Sequence, residues 1–316
     1  MTATTSITSI TSVTTTTTTT TTRSRRHLLT LFGAAALPWL TGCGQSASAV
    51  YDGAGAPDFR PSTRTFPVAW VLSSGGPRGF VHLGVLKALA ALGCKPDLVV
   101  GSSVGALVGG LYAAGLGLPY LEKLALDAGI ADVVRPVLSG DQWLSGAGIA
   151  DLVNQQVNHK PLQQWPLPFA AVAIAQDSRQ PHAFNWGDAG VAVQAACAIE
   201  GRLASVRIRG TQYVDADLEM PLPVRMARAL GAQKVLAVDA SAYEDKAPIA
   251  MERFRVSDLR KRVLTQADAV LANLTLHPDM GYYAGMSRVY RERALQAGYD
   301  QTMTQAAALR ALHGLS

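Results

Sequence analysis

Two apolar runs in this chain each empty into a glycine-rich turn and then into a helix-forming stretch, which commits that part of it to strand–turn–helix units. Pro67 to Leu72 runs into Ser73-Ser74-Gly75-Gly76-Pro77-Arg78-Gly79, and Leu98 to Val100 runs into Gly101-Ser102-Ser103-Val104-Gly105. The second turn has the Gly-x-Ser-x-Gly spacing of a nucleophile elbow, in which a serine sits on a sharp turn between strand and helix. Its flanking glycines, Gly101 and Gly105, let neighbouring backbone approach closely, and the helix beginning there points unpaired N–H groups at Ser103. The first turn presents another row of backbone donors, suited to a developing oxyanion. A nucleophile on one turn and charge stabilisation on the other point to acyl transfer.

The N-terminal region is not part of that architecture. Residues 1–22 are mostly Thr, unbroken from Thr14 to Thr22, the composition of a disordered tract or of a start codon placed too early. Ser24-Arg25-Arg26-His27-Leu28-Leu29, an apolar stretch from Leu31 to Leu40 and the small residues of Thr41-Gly42-Cys43 then follow the order of a secretory signal. The apolar stretch is about half of the roughly 20 residues that a spanning helix needs, so no permanent transmembrane anchor is expected. The Ser-Arg-Arg-x-Leu-Leu order resembles a twin-arginine export signal. Leu40-Thr41-Gly42-Cys43 resembles a bacterial lipobox, which implies acylation of Cys43 and a tether to a membrane surface. Gly44 and Gln45 follow it, not aspartate, so the resemblance implies an exported lipoprotein of the cell envelope on the periplasmic side of the outer membrane.

Removing residues 1–43, with their three arginines and no acids, lowers the formal net charge from +5 to +2. The basicity belongs to the leader, and no Lys/Arg cluster remains that would suit nucleic acid. The remaining chain of about 270 residues fits one large α/β domain whose core needs no staples. It keeps Cys94 and Cys197, which read as two buried thiols; a disulfide between them stays open as an alternative. Metal-ligand spacings are missing, and neither metal nor cofactor is expected.

Residues 44–66, rich in Gly, Ala, Ser and Pro, read as a linker. Strand and helix patterns then alternate over 67–240. Phe80 to Leu92 has apolar residues at helical spacing, and the helix after Ser103 is built from small residues that let it lie close to a sheet. Phe169 to Ala175 and Lys234 to Asp239 read as buried strands, and Ala189 to Ile199 as an Ala-rich helix. This order implies right-handed crossovers and a doubly wound, mainly parallel sheet between helical layers. Residues 241–316 read as a helical C-terminal extension packed on the same domain.

A third segment carries chemistry. Tyr213-Val214-Asp215-Ala216-Asp217 is a short strand delivering an aspartate into a turn, and Met220-Pro221-Leu222-Pro223-Val224 leads into a helix. Together the segments resemble the patatin-like phospholipase family, over about residues 67 to 240. Ser73 to Gly79 is similar to that family's oxyanion loop, Gly101 to Gly105 to its elbow, and Ala196-Cys197-Ala198-Ile199 with Gly201 to the helix end before its aspartate strand.

The resemblance implies a three-layer α/β/α fold and a serine acyl-ester hydrolase acting on phospholipid or lysophospholipid acyl chains. Ser103 is then the nucleophile, Asp215 its base, and Gly75, Gly76, Pro77, Arg78 and Gly79 the oxyanion loop. Pro77 has no N–H, so its neighbours must supply the donors. The Arg78 side chain is suited either to a lipid phosphate or to pinning the loop.

Four positions depart from the family pattern: Ser74 replaces the first loop glycine, Ala216 and Asp217 follow Asp215 in place of Gly and Gly or Ala, and Glu200 replaces a proline. If position 216 required positive φ, alanine there would be strained by roughly 1–2 kcal/mol. Asp217 should raise the pKa of one of the two carboxylates. Two alternatives stay open. His277 follows serine and aspartate in the order of a Ser-Asp-His triad, and the departures are compatible with a weakened, lipid-binding envelope protein. Asp239, at the end of an apolar strand, reads as a cap or structural acceptor, and His82 as a packed or half-exposed helix residue.

Overall fold

The computed structural model describes residues 50–137, 142–243, 245, 247–282 and 284–316. The Thr-rich leader, the export signal, Cys43 and the first residues of the expected linker lie outside the described residues. The chain runs β1 (Val50–Tyr51), β2 (Phe66–Leu72), α1 (Phe80–Ala91), β3 (Leu98–Ser102), α2 (Val104–Ala113), α3 (Leu118–Asp127) and α4 (Ile130–Val133). An antiparallel pair, β4 (Arg135–Pro136) and β5 (Leu144–Ser145), precedes α5 (Ala147–Gln156), β6 (Phe169–Ala175), β7 (Pro181–Phe184) and α6 (Ala189–Ala196). Then come β8 (Val206–Ile208), β9 (Thr211–Asp215), α7 (Val224–Ala229), β10 (Ala232–Val238), α8 (Arg255–Ala269), β11 (Leu274–Leu276), α9 (Arg288–Met303) and α10 (Ala306–Leu312).

The strands β6-β3-β2-β10-β11 form a parallel core, as the buried apolar runs require. Its two faces are covered by helices, giving three α/β/α layers. Trp70, Leu72, Leu236 and Val238 face α1 and α10 through Leu86, Leu89 and Leu309. Val99, Ala171 and Ala173 pack toward α2, α5 and α6. On the opposite face, Val71, Val100, Val172 and Val235 meet Val224 and Ala227 of α7. Each large apolar side chain buried this way stabilises the fold by roughly 1.5–3 kcal/mol.

Register decides where the functional turns fall. Leu72 pairs with Gly101, so β2 and β3 end side by side, about 4.8 Å apart, and their turns share one edge of the sheet. Farther along, β3 pairs with Phe169 to Val172 of β6, and the antiparallel β9 pairs with Ala173 to Ala175. The antiparallel β7 covers Ala171 to Ile174 and so overlaps both. It must therefore occupy the other edge of β6, leaving β3 and β9 to share one edge from opposite directions. Ser102 lies opposite Val172 and Asp215 opposite Ala173, so the ends of the two strands meet.

One expectation is corrected. The linker expected over 44–66 is in part built into the domain: Val50 and Tyr51 pair with Arg207 and Ile208, and Asp58 bridges to Trp186. That added strand covers an otherwise bare edge of β8. The C-terminal region is mainly helical, with α8, α9 and α10, and it also adds β11: Leu274 to Leu276 pair with Leu236 to Val238 and extend the parallel sheet. A three-residue strand carries too little alternation to be read from sequence.

Candidate active site

The elbow is strained in the way its motif requires. Ser103 sits at φ 53°, ψ −128°, a backbone conformation that costs a residue with a Cβ on the order of 1–3 kcal/mol. A Cβ on Gly101 would lie 2.4 Å from the Gly105 carbonyl oxygen, and one on Gly105 would lie 2.2 Å from that of Leu72. The turn closes only because both positions lack side chains.

Asp215 arrives at the end of β9 and is 3% exposed. Ser103 Oγ donates to Asp215 Oδ2 at 2.5 Å, and Asp217 N–H donates to Asp215 Oδ1 at 2.9 Å. The end of α6 fixes both backbones: Ser103 N–H donates to Ala196 O at 3.2 Å, and Asp215 N–H to Ala198 O at 2.9 Å. The intervening Cys197 donates its thiol proton to Ser103 O at 3.2 Å. Burial, with Asp215 adding to it, pushes that thiol well above its usual range, so it stays protonated. Cys94 and Cys197 are both free and buried.

Burial also raises Asp215, and the Asp217 charge raises it further, against the opposing Ser103 hydroxyl, Asp217 N–H and Lys261; its pKa stands at about 7. A carboxylate poised near neutrality can accept a proton and return it.

The loop before α1 is held beside this pair. Ser73 Oγ donates to Ser74 O and accepts from Ala240 N–H, both at 2.8 Å. The fully buried His82 donates from Nε2 to Ser73 O at 2.9 Å. Burial lowers the His82 pKa to about 4, so the ring is neutral at pH 7 and the carbonyl fixes its tautomer. A Cβ on Gly79 would lie 2.2 Å from the Val104 side chain, which brings the loop against the residue after Ser103.

Of the five expected oxyanion residues, two do not supply donors. Pro77 has no N–H, and Arg78 N–H already donates to Gly75 O at 3.1 Å. The Gly75 and Gly76 N–H groups have no backbone acceptor among the described residues. Gly76 has φ 52°, which only glycine adopts freely. The Arg78 guanidinium lies over the Tyr282 ring, 5.6 Å from its centroid.

His277 belongs elsewhere. Its Nδ1 donates to Asp239 O at 3.0 Å and lies 3.5 Å from Asp239 Oδ2, while its ring stacks on Tyr243 at 4.1 Å. The structure therefore pairs Ser103 with Asp215 and His277 with Asp239.

The departures from the family pattern are partnered. Ala216 takes negative φ and opens a 3-10 turn, so the strain considered for that position does not arise. Ser74 Oγ donates to Asp217 Oδ1 at 2.5 Å, joining two of the departures, and Lys261 of α8 donates to the same oxygen. Burial works to raise Asp217, but Lys261 and Ser74 hold it below the usual carboxylate range. Glu200 accepts two 3.0 Å bonds from Arg179, which also donates to Glu219. His82 is packed and Asp239 is a structural acceptor, as the sequence suggests; the hold of His82 on Ser73, the pairing of Asp239 with His277 and the place of Lys261 have no signal in the sequence.

An uncharacterized NTE family protein of Mycobacterium bovis is 32% identical over 179 residues, which span 56% of this chain and 50% of the relative. The lysophospholipase NTE1 of Candida glabrata is 28% identical over 190 residues, 58% of this chain and 11% of that protein. The chain thus spans half or less of the length of these relatives. Among solved structures, VipD from Legionella pneumophila aligns with a TM-score of 0.46 and 15% identity over 80% of this chain and 70% of that one. Residues 70–228, half of the chain, match the family model described as patatin-like phospholipase, and this protein belongs to the patatin-like phospholipase family.

Proposed function

We propose that this protein is a lipid acyl hydrolase of the phospholipase A or lysophospholipase type, working through a Ser103–Asp215 dyad. The observation that carries this reading is the 2.5 Å bond from Ser103 Oγ to Asp215 Oδ2 at a strained elbow. Asp215 takes the hydroxyl proton as Oγ attacks an ester carbonyl, then gives it to the departing alcohol oxygen as the acyl-enzyme forms. Water, deprotonated by Asp215, attacks the acyl carbon; Oγ leaves and recovers the proton. The Gly75 and Gly76 N–H groups stabilise the oxyanion of both tetrahedral intermediates, a donor of this kind being worth about 3 kcal/mol. Family membership and the lysophospholipase name of one relative support the lipid ester as substrate.

Acylation at Cys43 would hold the enzyme at the envelope membrane, where such esters lie, after export through the twin-arginine route. Incorporation of labelled palmitate that is lost in Cys43→Ala would support the anchor. For the chemistry, the decisive assay pairs fluorophosphonate labelling with hydrolysis of a p-nitrophenyl acyl ester. Both should disappear in Ser103→Ala; hydrolysis should disappear in Asp215→Asn and survive in His277→Ala. A folded wild type that neither labels nor hydrolyses the ester sinks the proposal.

A further inference from the structure

Helix α8 lies outside residues 70–228, yet one of its side chains reaches the dyad's immediate surroundings. The helix is fastened to α7 by Arg225, whose Nε donates to the buried Asp268 at 2.5 Å. Two turns earlier on α8, Lys261 is largely buried and donates to Asp217 Oδ1, the oxygen that also accepts from Ser74 Oγ. The Asp217 backbone N–H in turn donates to Asp215 Oδ1, while Asp215 Oδ2 accepts from Ser103. These bonds form one unbroken path from α8 to the nucleophile.

We infer that Lys261 and Ser74 are positioning residues that clamp the Asp217 carboxylate, and through it fix both the orientation and the charge state of Asp215. The inference rests on the reading of Asp215 as the base. The clamp works in two ways. Held from both sides, Asp217 keeps its N–H aimed at Oδ1, which leaves Oδ2 directed at Ser103. Its negative charge also disfavours ionisation of Asp215, and the ammonium of Lys261 offsets that effect. The groups facing this pair are Ser103 from the elbow, the protonated Cys197 from the end of α6, Ser74 from the loop and Lys261 from α8; Arg202 adds a more distant positive charge on Asp217. Ser74 and Asp217 are thus a matched pair: replacing Asp217 leaves the Ser74 hydroxyl without its acceptor, and replacing Ser74 leaves Lys261 alone on Asp217 Oδ1.

The test is the pH profile of kcat/KM for p-nitrophenyl ester hydrolysis by the full chain, in wild type, Asp217→Asn, Lys261→Met, Lys261→Arg and Ser74→Ala. Asp217→Asn should move the acidic limb to lower pH by about one unit, because it removes a neighbouring negative charge. Lys261→Met should move it to higher pH, and Lys261→Arg should restore the wild-type limb. Ser74→Ala should lower kcat several-fold with KM little changed. Lower rates with acidic limbs unmoved in both Asp217→Asn and Lys261→Met overturn the inference, since a merely structural loss scales the profile without shifting it. If Lys261→Met does not fold, Asp217→Asn and Lys261→Arg decide the matter. A wild type without turnover would count against the dyad itself; an active wild type with immobile limbs counts against the clamp alone.

Discussion

Two aspartates stand at strand ends of this sheet, Asp215 closing β9 and Asp239 following β10, both nearly sealed from solvent, and they behave in opposite ways. Asp215 is 3% exposed and Asp239 is 4% exposed. Burial works to raise both. Asp215 faces a neutral hydroxyl, one N–H and a second carboxylate, and its pKa stands at about 7. Asp239 faces the ring of His277 and accepts from Ser241 N–H at 2.9 Å, and these hold it below the usual range despite burial. The partners decide the sign, since equal desolvation cannot. One carboxylate is left able to move a proton; the other is held ionised next to Ala240, whose N–H fixes Ser73 of the glycine-rich loop.

The largest effect should separate them outright. Asp215→Asn should reduce ester hydrolysis by about 10⁴-fold, as removal of a member of such a catalytic unit does. Asp239→Asn should leave Ser103 reactive toward a fluorophosphonate. Equal losses in the two variants would break the comparison. The stability of Asp215→Asn sharpens it from the other side. A carboxyl with a raised folded-state pKa makes the fold less stable as pH rises from about 4 through about 7. The variant should therefore melt higher than wild type above pH 7, measured by calorimetry, with the gain vanishing near pH 4.

His277→Ala comes next, at about 3 kcal/mol of stability near pH 6, because it strips a buried carboxylate of its charged partner. Asp239 raises the His277 pKa in spite of burial, which works to lower it, so this contribution is complete below about pH 6.5 and fades as pH rises through the folded-state value. Denaturant titrations of the variant and wild type across pH 5 to 9 should converge at the alkaline end. Parallel curves would mean that the ring acts by packing on Tyr243 and not by charge. The smallest effect is expected at His82. His82→Phe leaves the Ser73 carbonyl without its donor, at about 1–2 kcal/mol, and should lower kcat more than it raises KM as the loop loosens. Ser73 N–H also donates to Val238 O at 3.0 Å, and unaltered kcat would mean that this bond and the one from Ala240 N–H hold Ser73 adequately alone.

Much of this arrangement was legible in the residues. The two glycine turns, the buried β6 run, the Ala-rich helix and the aspartate strand all stand where their patterns place them, since each is a local signal strong enough to dictate its own element. The departures from the family pattern were legible as substitutions but not as a network: Ser74 and Asp217 are 143 positions apart in the chain, and only the closed sheet brings them to 2.5 Å. The same holds for His277, whose chain order fits a triad while its position beside β11 gives it to Asp239. Lys261 was hidden for a different reason, as one basic residue among several on a helix whose exposed face is also apolar, with Val256 80% and Val263 57% exposed.

The sequence by itself determined the nucleophile elbow and a layered α/β class with a mainly parallel sheet, because turn chemistry and apolar periodicity act over a few residues; Asp215 was singled out only by the resemblance to the patatin-like family. Tertiary structure alone decided that β3 and β9 meet on one edge of β6, that the expected linker supplies an edge strand, and which carboxylate is raised and which held ionised. Those outcomes depend on register and desolvation, which exist only once distant strands have paired and water has been excluded between them.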